Sequence, residues 1–500
     1  MMRVPLAPAV PRSRPMHIPR RHALRIAIAG PVLAGCPIHA RASPPTTALD
    51  SERYAECHRV RDGAVFPRPS RWRDADLVIL GGGISGLTAA WLCRDHDVVV
   101  LEKEPLPGGH AQATTLGGIP CSVGTAYVGR GDDAGRLAAE LGLPSFPVAS
   151  WDGTADNGAF TPDTWGDGLE DLPYPRAVRE QFAACRRDFL ALDPFDERYQ
   201  QTALAPLLAP YGAEVRRWWD AYCPSNWGGS SEDVAASLAL DILRWWAGPD
   251  RSDTRVTWPG GVGALARRLA ADFAAARPDG VVSGATVLSL SRAGHGVEVT
   301  SLVDDRVAGI RAKAAIVALP KFVAMRIVGG LPVDQREAME RIRYAPYCVV
   351  NVRADRPVPR LGYDTWCPGR SFTDCIVADW VGTAPGLAPG EVLTCYVPLP
   401  EDRRESLLDD DHCRALAAAV ADDLHAAFPE GVITPVEAHL YRRGHAIHCS
   451  APGLKPHQAV ARRPFGPITF AHGDVGSVVA SSSGAIRAAR RAVDEVAAFL

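Results

Sequence analysis

The sequence predicts an α/β fold with a Rossmann-like nucleotide-binding unit, and three observations carry that prediction. Leu77-Val-Ile-Leu80 runs straight into Gly81-x-Gly83-x-x-Gly86, and a helix-forming run continues to Trp91. Val98-Val-Val-Leu101 reads as the next strand of a βαβ unit. It ends at Glu102, about twenty residues after the first glycine, where a carboxylate can accept ribose hydroxyls. A buried strand, a tight turn and a helix N-terminus together bring backbone N–H groups and a positive dipole end to a pyrophosphate.

The elements before this unit differ in composition from the rest. The first fifty residues hold seven arginines, and the first acidic residue is Asp50. Arg20-Arg21 precedes a short apolar stretch from Ile26 to Gly35, and Ala40-Arg41-Ala42 follows. Residues 1–42 therefore read as a secretory signal resembling the twin-arginine type, which implies Tat export to the periplasm as a folded protein. Leu33-Ala-Gly-Cys36 also matches a lipobox, which would make Cys36 a lipid anchor. Residues 43–73, rich in Pro, Arg and Ser, are expected to be an extended arm.

Beyond Glu102, Lys103-Glu-Pro-Leu-Pro-Gly108-Gly109-His110 places a second glycine pair close behind the ribose carboxylate. That is expected of a long, deeply held cofactor such as FAD. From about 131 to 255 the pattern is mainly helical and contains Trp218-Trp219, Trp227 and Trp245-Trp246. Those tryptophans suit either a packed helical layer or the lining of an apolar pocket. Trp258-Pro-Gly-Gly261 breaks the chain, and a helix is expected over 264–276. Strands follow at 280–290, 296–300, 314–320, 348–352 and 391–397, from period-2 alternation and intervening turn residues. An amphipathic helix is expected over 413–428, a strand over 468–474 and a last helix over 483–500.

Composition narrows the function classes. The chain has 500 residues, is 47% apolar and 22% charged, and carries a net charge of −3. Nothing in that balance argues for a nucleic-acid partner, and no apolar run approaches the ~18–20 residues of a membrane span. Twelve cysteines are too few for a disulfide scaffold in a chain this long. His445-x-x-His448-Cys449 is the nearest approach to a metal motif, with no third ligand in view, so no metal is expected.

The ordered landmarks resemble the flavin-containing amine oxidase superfamily, which includes monoamine and polyamine oxidases, phytoene desaturases and protoporphyrinogen oxidases. Val123-Gly-Thr-Ala-Tyr-Val-Gly129 is similar to the family's segment beside the flavin ring. Trp258 to Leu265, Thr286-Val287-Leu288 and Ala315-Ile-Val-Ala-Leu-Pro320 are similar to its later re-entry and strand segments. Phe470-Ala-His-Gly473-Asp474 and Ser483-Gly484-Ala485-Ile486 match the C-terminal FAD segment. The resemblance implies non-covalent FAD, with Asp474 near its ribityl and pyrophosphate and Val287 holding its adenine by backbone. It also implies a discontinuous FAD-binding domain (74–130, 256–325 and 435–500) and an inserted α+β substrate domain (131–255 and 326–434).

The cofactor-binding residues expected on this basis are Gly81, Gly83, Ile84, Ser85, Gly86, Glu102, Lys103, Gly108, Gly109, His110, Gly124, Thr125, Ala126, Tyr127, Val287, Gly473, Asp474, Gly484 and Ala485. His472, Tyr127 and Asn351 are the catalytic candidates. His472 borders Gly473-Asp474, where an imidazole suits proton transfer, or simply a hydrogen bond to cofactor or backbone. Asn351 stands about where amine oxidases carry a lysine. Region 476–483 has no aromatic residue where the family often places one wall of a cage around the amine. Arg442-Arg443 reads as a solvated pair or an anion attractor.

The expected function is hydride abstraction by FAD from an activated C–H bond of an amine or similar small molecule. A desaturase of an isoprenoid-like substrate and a non-catalytic flavin-binding partner are the alternatives. The sequence names no electron acceptor.

Overall fold

The computed structural model describes residues 46–148, 151–249, 251, 254–357, 362–381, 391–428 and 434–500. The signal reading of 1–42 and Cys36 lie outside the described residues. Seven strands form the nucleotide sheet. Val281–Ser283, Val98–Glu102, Trp72–Leu80 and Arg306–Val317 lie side by side in parallel, and Ile468–Phe470 joins the last of these, also in parallel. Thr286–Ala293 and Gly296–Val303 extend the sheet as an antiparallel meander. The expected strand over 280–290 is therefore two strands, divided where Gly284 takes φ +69°.

Both faces of this sheet are covered, which is why its central strands read as unbroken apolar runs. Leu77, Ile79, Val98 and Val100 pack toward helices Ile84–Leu92 and Ser482–Val496. Val78, Leu80, Val99 and Leu101 face the other way, toward helices Lys321–Ile327, Val333–Glu340 and Leu454–Ala461. Burying each such side chain contributes roughly 1.5–3 kcal/mol.

A second sheet has eight strands, in the order Thr46–Ser51, Pro435–His448, Tyr344–Ala354, Val392–Pro398, Asp374–Val377, Asp364–Trp366, Gly153–Asp156 and Ala159–Thr161. Its two faces differ in kind. Cys348, Val350, Val352, Cys375, Leu393, Cys395 and Leu440 form an apolar core with helix Asp410–Ala427. The residues between them, at alternate positions, face the other way and are mostly polar or aromatic.

Residues 43–73 are more than an extended arm. Thr46–Ser51 adds a parallel edge strand to the second sheet, and Ala55–Arg61 is a helix. The tryptophans of the helical stretch mainly build a core. Trp218, Trp219, Trp227 and Trp246 pack with Trp165, Phe182 and Phe189 among helices Arg176–Leu190, Ala213–Trp227 and Ala236–Ala247. Among the described residues no helix is long and apolar enough to cross a membrane.

Candidate active site

The nucleotide side of the site is made of backbone. Gly81 takes φ +98°, and a Cβ there would lie 2.8 Å from the Ala318 carbonyl oxygen. A Cβ on Gly86 would lie 1.8 Å from the Gly81 carbonyl oxygen, so only glycine lets the helix start this close to the strand. Gly83 occupies the N-cap of helix Ile84–Leu92 with no side chain capping it, which leaves that terminus to other acceptors. The second glycine pair packs on the first. Gly108 N–H donates to the Gly82 carbonyl at 2.8 Å, and Gly83 and Gly108 form a bridge. Glu102 closes the turn, accepting from Gly82 N–H (2.6 Å) and Glu104 N–H (2.9 Å). The Gly284 and Ala285 N–H groups donate to the Glu104 and Glu102 carbonyls, which sets the start of strand Thr286–Ala293, with Val287, next to the end of Val98–Glu102.

The C-terminal segment meets the same turn. His472 N–H donates to Ser85 Oγ at 3.0 Å, and Ser481 caps helix Ser482–Val496 by accepting from Gly484 N–H at 3.0 Å. His472 is one of the few non-glycine residues with positive φ, at +99°. Such backbone strain persists only where surroundings enforce it. Here the enforcement comes from Asp474, which is wholly buried. Its carboxylate pairs with Lys321 Nζ (3.0 Å) and accepts from Lys321 N–H (2.9 Å) and the Tyr344 hydroxyl, while its own N–H donates to His472 Nδ1 at 3.3 Å. Burial acts to raise the Asp474 pKa, but the charges of His472 and Lys321 prevail and hold it well below the usual carboxylate range. Lys321 is equally buried and also donates to the Leu319 and Ala471 carbonyls.

Between the two sheets lies the segment 121–129. Gly124 sits against the His110 carbonyl, where a Cβ would lie 2.0 Å from the oxygen. Asn351 is wholly buried and both ends of its amide are engaged. It donates to the Ser122 carbonyl at 2.9 Å and accepts from Thr394 Oγ1 at 2.6 Å. Tyr127 reaches across the cleft, donating to Asp364 Oδ2 at 3.1 Å.

The opposite wall is the polar face of the second sheet. Strand pairing aligns Asp364 with Ile376, Trp366 with Asp374, Asp374 with Tyr396 and Tyr396 with Val349, so these side chains share one face. Asp364 is 2% exposed, and its Oδ1 has no hydrogen-bond partner. Asp374 accepts from Ser225 Oγ (2.8 Å) and Thr373 Oγ1 (2.6 Å), and Ser225 bonds the Tyr347 hydroxyl (2.7 Å). The Tyr396 hydroxyl donates to the Gly124 carbonyl at 3.0 Å. Asp152 is paired with buried Arg255 and accepts from Trp366 Nε1 at 3.3 Å. Burial, then the neighbouring carboxylates Asp152 and Asp374, push Asp364 well above its ordinary pKa. Burial pushes Asp374 up to about 7. A cleft of roughly 490 Å³ opens beside this wall, lined by Tyr127, Asp152, Tyr222, Trp245, Trp246 and Arg255 among others.

Known proteins fit this geometry. The family model for flavin-containing amine oxidoreductases matches residues 84–497. The chain belongs to that family. A Mycobacterium tuberculosis protein provisionally named a flavin-containing monoamine oxidase is 28% identical over 471 residues, spanning 85% of this chain and 97% of its own. Cyclohexylamine oxidase from Brevibacterium oxydans superposes with TM-score 0.65 at 19% identity, covering 85% of this chain and 99% of that one. A putrescine oxidase bound to putrescine gives TM-score 0.65 at 20% identity, covering 85% and 100%. At these identities the superpositions speak for the fold: a Rossmann-like FAD-binding fold.

As a member of the flavin-containing amine oxidoreductases, the chain is an FAD-dependent oxidoreductase, and its residues suit that cofactor. The uncapped helix terminus at Gly83, the backbone-only approach at Gly81–Gly86 and Gly108–Gly109, and the buried Glu102 are what a dinucleotide requires. Other expected site residues have partners within the chain. Lys103 pairs with Glu52 (3.2 Å) and Glu104 (2.5 Å). The Asp474 carboxylate contacts Lys321 and Tyr344. Asn351 donates to the Ser122 carbonyl. His445 stacks on Phe322, with ring centroids 4.2 Å apart, and His448 bonds the Val478 carbonyl at 2.8 Å. Lys321, Asp364, Asp374, Tyr347, Tyr363 and Tyr396 were not singled out from sequence. The only local signal for Asp364, Asp374, Tyr347 and Tyr396 is alternation within strands of three to eleven residues, and Tyr363 precedes the shortest of them.

Proposed function

We propose that the protein oxidises an amine whose nitrogen is held by Asp364 on an aromatic wall of tyrosines. The observation that carries this reading is Asp364 itself: buried, with one carboxyl oxygen unpartnered, and hydrogen-bonded to Tyr127 of the segment that resembles the family's flavin-side segment. Burial without a paired cation raises its pKa, and an ammonium group beside it would restore the carboxylate and offset the cost of burying it. Tyr127 and Tyr363 stand edge to face at 5.8 Å, as do Tyr347 and Tyr396 at 6.1 Å. These rings supply faces on which a cationic nitrogen can rest, so the aromatic wall comes from the sheet and the 127 segment. FAD supplies the hydride acceptor. Asp364 orients the nitrogen, and the tyrosines set the direction of the adjacent C–H bond and keep water away.

A polar wall of this kind is a poor surface for an isoprenoid chain. FAD is held without a covalent link in this reading, since the Cys449 thiol contacts the Asp233 carbonyl of the helical layer at 3.6 Å. The test is anaerobic reduction of the purified holoprotein by a panel of amines, alcohols and polyenes, read as bleaching of the flavin band. Amines are expected to bleach it. In Asp364→Asn the rate with the best amine should fall by about 100-fold with flavin content unchanged, the size expected for removing one partner of a buried charged contact. Bleaching by polyenes alone, or an unaltered rate in the variant, would sink the reading.

A further inference from the structure

The pair Arg442-Arg443 divides by strand alternation. Arg442, opposite Cys348, turns to the helix side of the sheet and pairs with Asp410 at 2.7 Å. Arg443, opposite Tyr347, turns into the site and is 4% exposed. Its guanidinium donates to the Val123 carbonyl and, at 3.3 Å, to the Gly109 carbonyl, and it lies over the Tyr441 ring at 4.1 Å. Among the described residues no carboxylate stands within 4.0 Å of it.

Glu52 pairs with Lys103 and accepts from Gly444 N–H at 3.2 Å, while Glu104 pairs with the same Lys103 and accepts from Arg53 N–H at 2.8 Å. These acids act on Arg443 only from beyond ion-pair distance. A buried guanidinium held by carbonyls alone has its dipolar contacts but no direct ion pair, and buried charges are normally paired in contact. Its position says where that counter-charge belongs. Gly109 packs directly on Gly83, where a Cβ on Gly109 would lie 3.0 Å from the Gly83 Cα. Gly83 is the uncapped N-terminus of helix Ile84–Leu92. A helix terminus and a buried arginine therefore stand at adjoining loops.

We infer that Arg443 is a cofactor-binding residue whose buried charge is balanced by the diphosphate of FAD. The inference rests on the reading of Gly81–Gly86 and Gly108–Gly109 as the FAD loops. It gives this strand a second task, since the sheet that carries the substrate wall also supplies a cation to the nucleotide side.

The test compares wild type, Arg443→Met, Arg443→Gln and Arg443→Lys. FAD affinity is measured by flavin fluorescence quenching at low and moderate salt, with the midpoint potential of each loaded protein measured alongside. Both neutral variants should bind FAD about 30-fold or more weakly, the loss expected when one partner of a buried charged contact is removed. Their salt dependence should also be shallower, and Arg443→Lys should recover most of the affinity. If Arg443→Met does not fold, Arg443→Gln carries the test. Unchanged affinity in the neutral variants would overturn the inference. So would a shifted potential at unchanged affinity, which would set the charge against the ring system. Failure of the wild type to bind FAD would instead overturn the assignment of the loops, and it would be seen before any variant was compared.

Discussion

The nucleotide wall and the substrate wall of this site are built from different materials. On the nucleotide side the groups presented are peptide N–H donors, and side chains matter mostly by their absence. Gly81, Gly86, Gly108 and Gly109 let loops touch where a Cβ would lie 3.0 Å or less from its neighbour. On the opposite side the backbone is consumed in strand pairing, and the polar face of the sheet presents side chains: Asp364, Asp374, Tyr347 and Tyr396. A wall of backbone tolerates almost no substitution and recognises a constant cofactor. A wall of side chains on a fixed sheet can be changed residue by residue, which suits a substrate that differs between relatives.

The sharpest way to break the comparison is at Gly86. With a Cβ at 1.8 Å from the Gly81 carbonyl oxygen, Gly86→Val is expected to yield protein without FAD, read as the ratio of flavin to protein absorbance. Retained flavin would show that the backbone wall is less exacting than argued. Next comes Lys321→Met, which strands the Asp474 carboxylate in the core and should cost about 3–5 kcal/mol in denaturant unfolding. The double variant Lys321→Met, Asp474→Asn should regain much of that loss. A single variant as stable as wild type would mean the pair does not organise the turn.

The smallest effect concerns pH. Asp374 is pushed up to about 7 when folded, from 3.8 when free. Between those values the unfolded chain has lost its proton and the folded chain keeps it. Stability from this group is therefore complete below about pH 4 and lost as pH rises toward 7. The slope approaches about 1.4 kcal/mol per pH unit for one group. Asp374→Asn should remove that slope from urea-unfolding stabilities measured between pH 4.5 and 6.5. Parallel curves for wild type and variant would refute the burial argument.

Legibility followed the same division. The Gly81–Gly86 turn, Glu102, the Gly108-Gly109 pair and the 470–486 segment are short, contiguous and restricted to residue types with a backbone reason, so they could be read as chemistry. Lys321 was missed because nothing local marks a lysine after Pro320 as buried, and its partner lies 153 residues away. Arg443 reads from sequence as part of a solvated pair or an anion attractor, because two adjacent arginines look alike until a strand separates them onto opposite faces. Asn351 reads from sequence as a catalytic candidate; its bonds to Ser122 and Thr394 tie the 121–129 segment to the second sheet, which no local pattern shows. Asp364 and Asp374 had no signal beyond a period of two in short strands, a pattern shared with every half-buried strand in the chain.

By itself, the sequence determined the nucleotide half of this protein, because backbone chemistry is encoded locally: a glycine is required where a loop must touch, and that requirement is visible in one window. Tertiary structure decided which acids, tyrosines and cations face the cleft. That depends on strand register, where a slip of one residue sends a side chain to the opposite face. It depends equally on which distant charge is left without a partner once the sheets are packed.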